Sequence, residues 1–497
     1  MTDKENIRTA AARWIDYTLL TVLSVFCFKY SAYSGRTFAE TTVKFTFLNF
    51  PIFIGEFLLA GSMALFVIRN AFINGAFKKW HIGVYLLLGF IFTKAFFGYV
   101  YWGPLALRDA ALFYYPLFGL ISFVCYRANY LNKWMILIYY AALMWFYFDA
   151  PFNEYWLMPR IYLGLILSYL FPDRRIGALM ALGIIFCTPF KLFIDTSRSV
   201  ILGNFISIAF LLIFLPLMTE PRKRVKFLGC GLLILVIFSA YVFHFSGSRP
   251  AEGLLAVDKL NNSLSEMENE INGKKTSFKQ QELKIVMLFN PNENVLTETV
   301  LQSQGSTNVA VQPAPPTIEG MRVVEPTGST KGMKLGNSVF RILLWQDAIQ
   351  EIVKEKKPLG IDFGKPFRSE NLEIIRAAVN EWQRDGWIAM HNSYLNILYR
   401  GGLFGILFIA MVVFLYIRMV WIFLRSKSLV GILLCASLIV PLVAAFFAVT
   451  LELPYTAIPI WTLFGLTLGV AHHKAIRKDN FAVVDSLGKT NAHSNRS

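Results

Sequence analysis

Apolar residues along this chain gather into runs of about 20, divided by short polar segments that carry most of the lysines and arginines. Wound as helix, a run of that length crosses a hydrocarbon core of roughly 30 Å. Such runs stand at about 15–33, 45–68, 82–102, 108–126, 133–150, 155–171, 176–194, 199–218, 227–246, 393–424, 429–450 and 456–471. The pattern predicts an all-α polytopic membrane protein of about 12 transmembrane helices, with a large, mainly helical loop between helices 9 and 10. The chain then divides into a bundle over 1–246, a loop region over 247–392, three further helices over 393–472 and a tail over 473–497.

Composition and charge add an orientation. With 55% hydrophobic and only 16% charged residues, a soluble globule is excluded. The net charge of +16 would suit nucleic acid, but the basic residues cluster between apolar runs, where they set topology instead. With the N-terminus inside, Arg69, Lys78, Lys79, Arg127, Lys133, Arg174, Arg175, Arg222 to Lys226, Arg425, Lys427, Lys474, Arg477 and Lys478 all fall on the cytoplasmic side. Nine spans before the loop place that loop outside, which agrees with the charge count. Residues Met1 to Trp14 are polar and no small-residue cleavage site follows the run from Tyr17, so the first span is expected to stay as a signal anchor. All five cysteines fall in apolar runs, which leaves no disulfide framework and no thiolate metal site.

The long loop begins with Leu260, Leu264, Met267 and Ile271 at helical spacing, which suggests an amphipathic helix or a short coiled coil over 254–271; a solvated helix resting on the membrane surface is the plainer reading. From about 291 to 337 the composition turns to Ser, Thr, Gln, Gly, Pro and Asn, the signature of a flexible linker. Order resumes at Ser338, where Phe340, Leu344, Ala348 and Ile352 share a helix face, and a turn follows Pro358.

Candidate chemistry is sparse. Of six histidines, His81, His472, His473 and His493 fall inside, and His244, between Phe243 and Phe245, reads as an interfacial anchor. His391 opens the tenth span beside Asn392 and Ser393, where the positive end of a helix dipole disfavours the imidazolium form. A neutral imidazole there can accept a proton; the plainer reading is a cap or a wedge against headgroups. Arg198 follows Asp195, Thr196 and Ser197 in an outer turn, where positive charge runs against the orientation rule. Its fork suits a diphosphate, although a pair with Asp195 would also account for it. Arg341 is a second outer guanidinium, whose plainer reading is a solvated helix face. Glu56, Lys94, Arg160 and Lys191 lie in or near spans and should face the bundle interior; a Glu56 to Lys94 pair is one arrangement, and Arg160 is placed to hold an anionic headgroup.

The stretches HNSYLNILYRGGLFG from His391, SVFRILLWQDAI from Ser338 with the following PLGIDFG turn, and DTSRSVILGN around Arg198 together resemble the O-antigen ligase and polymerase superfamily. The likeness covers about 195–215 and 338–410, the rest agreeing only in topology. It implies a multi-pass protein of the bacterial inner membrane, both termini cytoplasmic. The implied activity moves a glycan from a polyprenyl (undecaprenyl) diphosphate carrier to an acceptor hydroxyl at the periplasmic face, using neither metal nor other cofactor. His391 would then be the general base and Arg198 and Arg341 the diphosphate clamps, with Arg160, Lys94 and Asn392 as accessory candidates. Implied partners are the lipid-linked donor, a glycan or lipid A-core acceptor, membrane lipids and, for a polymerase, a chain-length regulator, but no nucleic acid. The insertion before Arg341 is longer than expected for a plain ligase. Ligase, polymerase and protein O-oligosaccharyltransferase therefore remain open as acceptor classes, and a non-enzymatic flippase is the alternative of a different kind.

The topology has a direct test. In intact spheroplasts an impermeant thiol reagent is expected to label a cysteine placed at Ser306 and to miss one at Ser486; the reverse pattern overturns the orientation.

Overall fold

The computed structural model describes residues 3–31, 42–45, 50–74, 82–126, 133–148, 154–188, 197–218, 236, 337–369 and 390–494. Its elements are helix α1 (Asp3–Ser31), strands β1 (Thr42–Phe45) and β2 (Phe50–Phe53), then α2 (Ile54–Asn74), α3 (Ile82–Trp102), α4 (Leu105–Tyr114) and α5 (Pro116–Tyr126). They continue as α6 (Lys133–Phe148), α7 (Leu157–Leu170), α8 (Arg174–Cys187), α9 (Arg198–Met218), α10 (Asn337–Glu355), α11 (Ser393–Arg425), α12 (Leu429–Ala444) and α13 (Pro454–Ser494). Among the described residues six helical stretches are long and apolar enough to cross a membrane, and two shorter apolar helices join them. Apart from Val236 and Asn337, the ninth span, the amphipathic helix over 254–271 and the linker over 291–337 lie outside the described residues.

Several boundaries differ from the hydropathy reading. The run from 45 to 68 is not helical throughout: β1 and β2 pair antiparallel, Thr42 opposite Phe53 and Phe45 opposite Phe50, and helix starts only at Ile54. Pro51 lacks the N–H that a helix interior needs, and the preceding Thr-Val-Lys-Phe favours strand. Glu56 fixes the helix start by reaching back to the Phe53 amide at 2.8 Å, half of a capping box. The stretch 105–126 breaks into α4 and α5 at Tyr115, because Pro116 supplies no amide. Helices α7 and α8 have 14 residues each, about 21 Å of helix and short of a full crossing. Asp173 caps α8, accepting from the amides of Arg175 and Ile176.

The chain forms two compact units. One comprises 1–251, 352–365 and 389–497, the other 252–351 and 366–388. In the second, α10 buries Leu343, Leu344 and Ala348, and Ser369 donates to the buried Asp347 carboxylate. The first holds the membrane helices and also the turn after α10, which the sequence reading groups with the loop.

Packing in this first unit rests on close backbone approach, the usual source of helix association in lipid. A Cβ on Gly465 of α13 would fall 1.9 Å from the Gly119 carbonyl of α5. Ring pairs fill the neighbouring space: Phe90 stacks on Phe404 at 4.0 Å, and Phe113 stacks on Phe363 at 5.6 Å. Rows such as Phe92, Phe96 and Val100 on α3 and Leu403, Leu407 and Phe414 on α11 stay exposed, as lipid-facing positions do.

Ionisable groups inside the unit find partners other than those expected. Glu56 pairs with Arg108 at 3.4 Å and accepts from Tyr114, not with Lys94. Arg69, counted above as a topological charge, forms a buried ion pair with Asp16. The Lys94 ammonium instead donates to four backbone carbonyls: Leu359 at 2.8 Å, Gly360 at 3.1 Å, Ile361 at 2.8 Å and Arg400 at 2.7 Å. Three of these belong to the PLGIDFG turn, whose irregular backbone leaves carbonyls that groups outside the turn must satisfy where it packs against the helices.

The turn also interlocks with a break in α11. Gly402 has φ 53 and ψ −130, dividing that helix, and a Cβ on it would lie 2.3 Å from the Pro358 carbonyl. Gly360, at φ 75, is packed equally tightly against the Arg400 carbonyl carbon and the Gly402 amide. Hydrogen bonds from Ile361 N to the Tyr399 carbonyl (2.7 Å) and from Leu403 N to the Pro358 carbonyl (2.8 Å) close the junction. Any side chain at either glycine meets backbone as well as an unfavourable φ.

Two substitutions test this junction by thermal unfolding in detergent. Lys94→Met keeps the stem and removes the donor of four carbonyls, at about 1–3 kcal/mol for each group left unsatisfied, so a marked fall in Tm is expected. Gly402→Ala is expected to prevent accumulation of folded protein; near-normal Tm for both variants contradicts the interlock.

Candidate active site

His391 stands immediately before α11 in a left-handed backbone conformation, φ 50, uncommon for a residue with a side chain. The next residue, Asn392, is the helix cap: its side-chain oxygen accepts from the Leu395 amide at 3.0 Å. That contact accounts for Asn392 as a positioning group at the helix start. Ser393 then ties this start to the connection between α12 and α13. Its amide donates to the Ala445 carbonyl at 2.9 Å, its hydroxyl donates to the Ala448 carbonyl at 3.1 Å, and the same oxygen accepts from the amides of Thr450 (3.0 Å) and Leu451 (3.1 Å).

Helix α9 arrives at the same place. Gly203 lies against Val440, where a Cβ would stand 3.1 Å from the Val440 α-carbon, and the Ser207 hydroxyl donates to the Ala436 carbonyl at 3.0 Å. Rising numbers on α9 meet falling numbers on α12, so the two run antiparallel. At about 1.5 Å per residue, Arg198, five residues before Gly203, starts its helix level with the last turn of α12. Its predecessor Ser197 is held by an amide donation to the Glu154 carboxylate at 2.8 Å. The starts of α9 and α11, and with them Arg198 and His391, therefore converge on the end of α12. Two helix N-termini at one end of a bundle present a positive field suited to an anion.

The other sequence candidates are distributed differently. Arg341 lies in α10, partly buried, within the second unit. Arg160 is 1% exposed on α7, with Nη2 3.5 Å from the Phe28 carbonyl. It lines a mostly apolar cavity of about 110 Å³ together with Cys27, Phe28, Tyr139 and Thr462, so its guanidinium is enclosed within the bundle and not open to a headgroup. Lys94 serves the turn described above. Among the described residues no three His, Cys, Asp or Glu side chains gather as a metal site would require.

Four polar residues here escaped the sequence reading. Arg400 and Asp109 form a buried ion pair at 3.1 Å, and both also hold the turn: Arg400 donates to the Asp362 and Lys365 carbonyls, and Asp109 accepts from the Gly364 amide. Asp109 had a usable signal, a carboxylate inside an apolar run. Asn396 donates to Glu452 at 2.9 Å. Glu452 lies between two spans, outside both, and is 7% exposed. Burial raises its carboxyl from 4.5 to about 8; the Asn396 hydrogen bond and the Arg400 charge oppose that shift, and the Asp109 charge adds to it.

Comparison with curated proteins finds no match. Residues 182–410 match the family model described as O-Antigen ligase, a stretch that contains α9, α10, the PLGIDFG turn, His391 and the Gly402 break. That match supports the O-antigen ligase and polymerase superfamily for the domain over 182–410.

Proposed function

We propose that this protein transfers a glycan from a polyprenyl diphosphate carrier to an acceptor hydroxyl at the outer face of the bacterial inner membrane, as an O-antigen ligase or polymerase. The observation that supports this reading most is the convergence of the Arg198 and His391 helix starts, inside the family-matched stretch, on the end of α12.

In the proposed reaction His391 takes the proton of the acceptor hydroxyl as its oxygen attacks the anomeric carbon. The bond from that carbon to the carrier's diphosphate breaks, and the electron pair leaves with the diphosphate. Arg198 and Arg341 neutralise the charge growing on it, each with a planar fork that fits phosphate oxygens. The diphosphate is a good leaving group, so the protein chiefly has to orient donor and acceptor, which a few fixed groups can do. A single displacement inverts the anomeric centre and requires no metal.

Purified protein, a polyprenyl diphosphate glycan and a chelator make the test. His391→Ala is expected to lower turnover roughly 100- to 10,000-fold with donor binding nearly unchanged, because a neutral imidazole attracts diphosphate weakly. Arg198→Ala and Arg341→Ala should weaken donor binding and slow transfer together, and lysine at either position should restore only part of both. Near-normal transfer by His391→Ala removes the base assignment, and abolition of activity by the chelator moves the protein to another class of membrane glycosyltransferase.

A further inference from the structure

We propose that Glu452 is a positioning residue of this site: as a neutral carboxylic acid it holds, through Asn396, the short helix that His391 opens, and its ionisation releases that hold. The proposal rests on the reading of His391 as the base.

The surroundings of Glu452 favour the uncharged form on geometric grounds. Its side chain is almost wholly enclosed, and Oε2 has no hydrogen-bond partner among the described residues. Its one donor, the Asn396 amide at Oε1, is neutral. A carboxylate enclosed with a single neutral donor is costly, and such a group keeps its proton instead. The charged groups that act on it are Asp109 of α4 and Arg400 of α11. Arg400 is already committed: it pairs with Asp109 and donates to the carbonyls of Asp362 and Lys365. The raised carboxyl, about 8, agrees with this geometry and places the ionisation in a range where activity can be measured.

The position of Glu452 explains why its charge matters. It follows directly on Thr450 and Leu451, whose amides hold Ser393, and its own side chain holds Asn396. Ser393 and Asn396 lie three residues apart on one helix face, two and five residues beyond His391. The short helix from Ser393 to Gly401 is thus fastened to one connection at two points, one of them titratable. Ionisation strengthens the single bond from Asn396 but leaves a charge enclosed with no other donor among the described residues, so the connection that carries it opens toward water, takes the Thr450 and Leu451 amides from Ser393 and tilts the backbone that aims the imidazole.

The sign of the effect on stability follows from linkage. A carboxyl raised in the folded state contributes stability that is fully present below its unfolded value of 4.5 and is lost as pH rises through about 8. The experiment uses full-length protein in detergent, with two readouts, transfer rate and Tm, each followed from pH 5.5 to 9.5. Wild-type transfer is expected to fall about tenfold between pH 7 and 9, as for one group titrating near 8. Glu452→Gln, the neutral isostere, should keep transfer at pH 6.5 within about threefold, lose that alkaline fall, and lose the decline of Tm with pH. Asn396→Leu removes both the group that is held and the donor that favours the ionised form, so it should slow transfer at every pH and move the decline of Tm to higher pH, and it provides the same test if the glutamine variant does not accumulate.

An unchanged alkaline limb and an unchanged Tm slope in both variants overturn the proposal, as does loss of neutral-pH transfer by Glu452→Gln at normal Tm. The Tm slope does not depend on catalysis. Should His391→Ala remain active while Glu452→Gln flattens the slope, the base assignment fails and the titration of Glu452 stands.

Discussion

A half-buried lysine held against four carbonyls is the contact on which the rest of this arrangement depends. Lys94 belongs to a helix that crosses the apolar bundle, and a charge there is expensive unless it is fully engaged. The PLGIDFG turn has the complementary need, since its backbone leaves regular structure and cannot satisfy its own carbonyls. Each removes the other's cost. The mutual requirement ties residues more than 260 positions apart and brings the segment after α10 back to the membrane helices. Arg400 and Asp109 extend the same solution, because one guanidinium and one carboxylate neutralise each other and still serve the turn's remaining carbonyls and amide.

The interlock sets where α11 can start and break. With Gly402 pinned against Pro358, the part of α11 before the break becomes a separate short helix of nine residues, Ser393 to Gly401. Such a piece has little stability alone, since nucleation is unfavourable and so few residues return few hydrogen bonds. It persists because Asn392 caps it and Ser393 and Asn396 fasten it to the connection after α12. A short helix held at both ends is also a rigid mount for the residue before it.

Much of this was legible in the sequence, for identifiable reasons. Spans such as α3, α9 and the later part of α11 follow from long apolar runs that only a helix can satisfy in lipid. His391 and Arg198 stand out in the sequence because polar residues at span ends are few, and the structure places each at the start of a helix. The hairpin over 42–53 was not legible, since Phe, Val and Ile serve strand and membrane helix alike, and only Pro51 and the Thr-Val-Lys-Phe stretch argued otherwise. The partner of Lys94 was hidden because a carbonyl leaves no trace in residue type. A Glu56 to Lys94 pair is the natural guess when only side chains are visible. Glu452 was hidden for the opposite reason: a glutamate between two spans reads as solvated, and only the fold encloses it. The segment from 473 reads in the sequence as a tail, whereas α13 continues as helix to Ser494.

The backbone at His391 shows how these restraints combine. A left-handed conformation at a residue with a side chain costs on the order of 1–3 kcal/mol. It is retained because the chain must turn sharply there for the Ser393 amide to meet the Ala445 carbonyl while Asn392 still caps the helix. Three or four hydrogen bonds immediately downstream, each worth about 1 kcal/mol net, are sufficient to hold it. The imidazole is therefore aimed by backbone geometry that other residues impose. On the proposed chemistry that matters more than the basicity of the imidazole itself, because a diphosphate departs readily and the slow element is the alignment of acceptor oxygen, anomeric carbon and leaving group. A site built this way needs few reacting groups and many positioning ones, and most of the polar residues buried around α11 belong to the second kind.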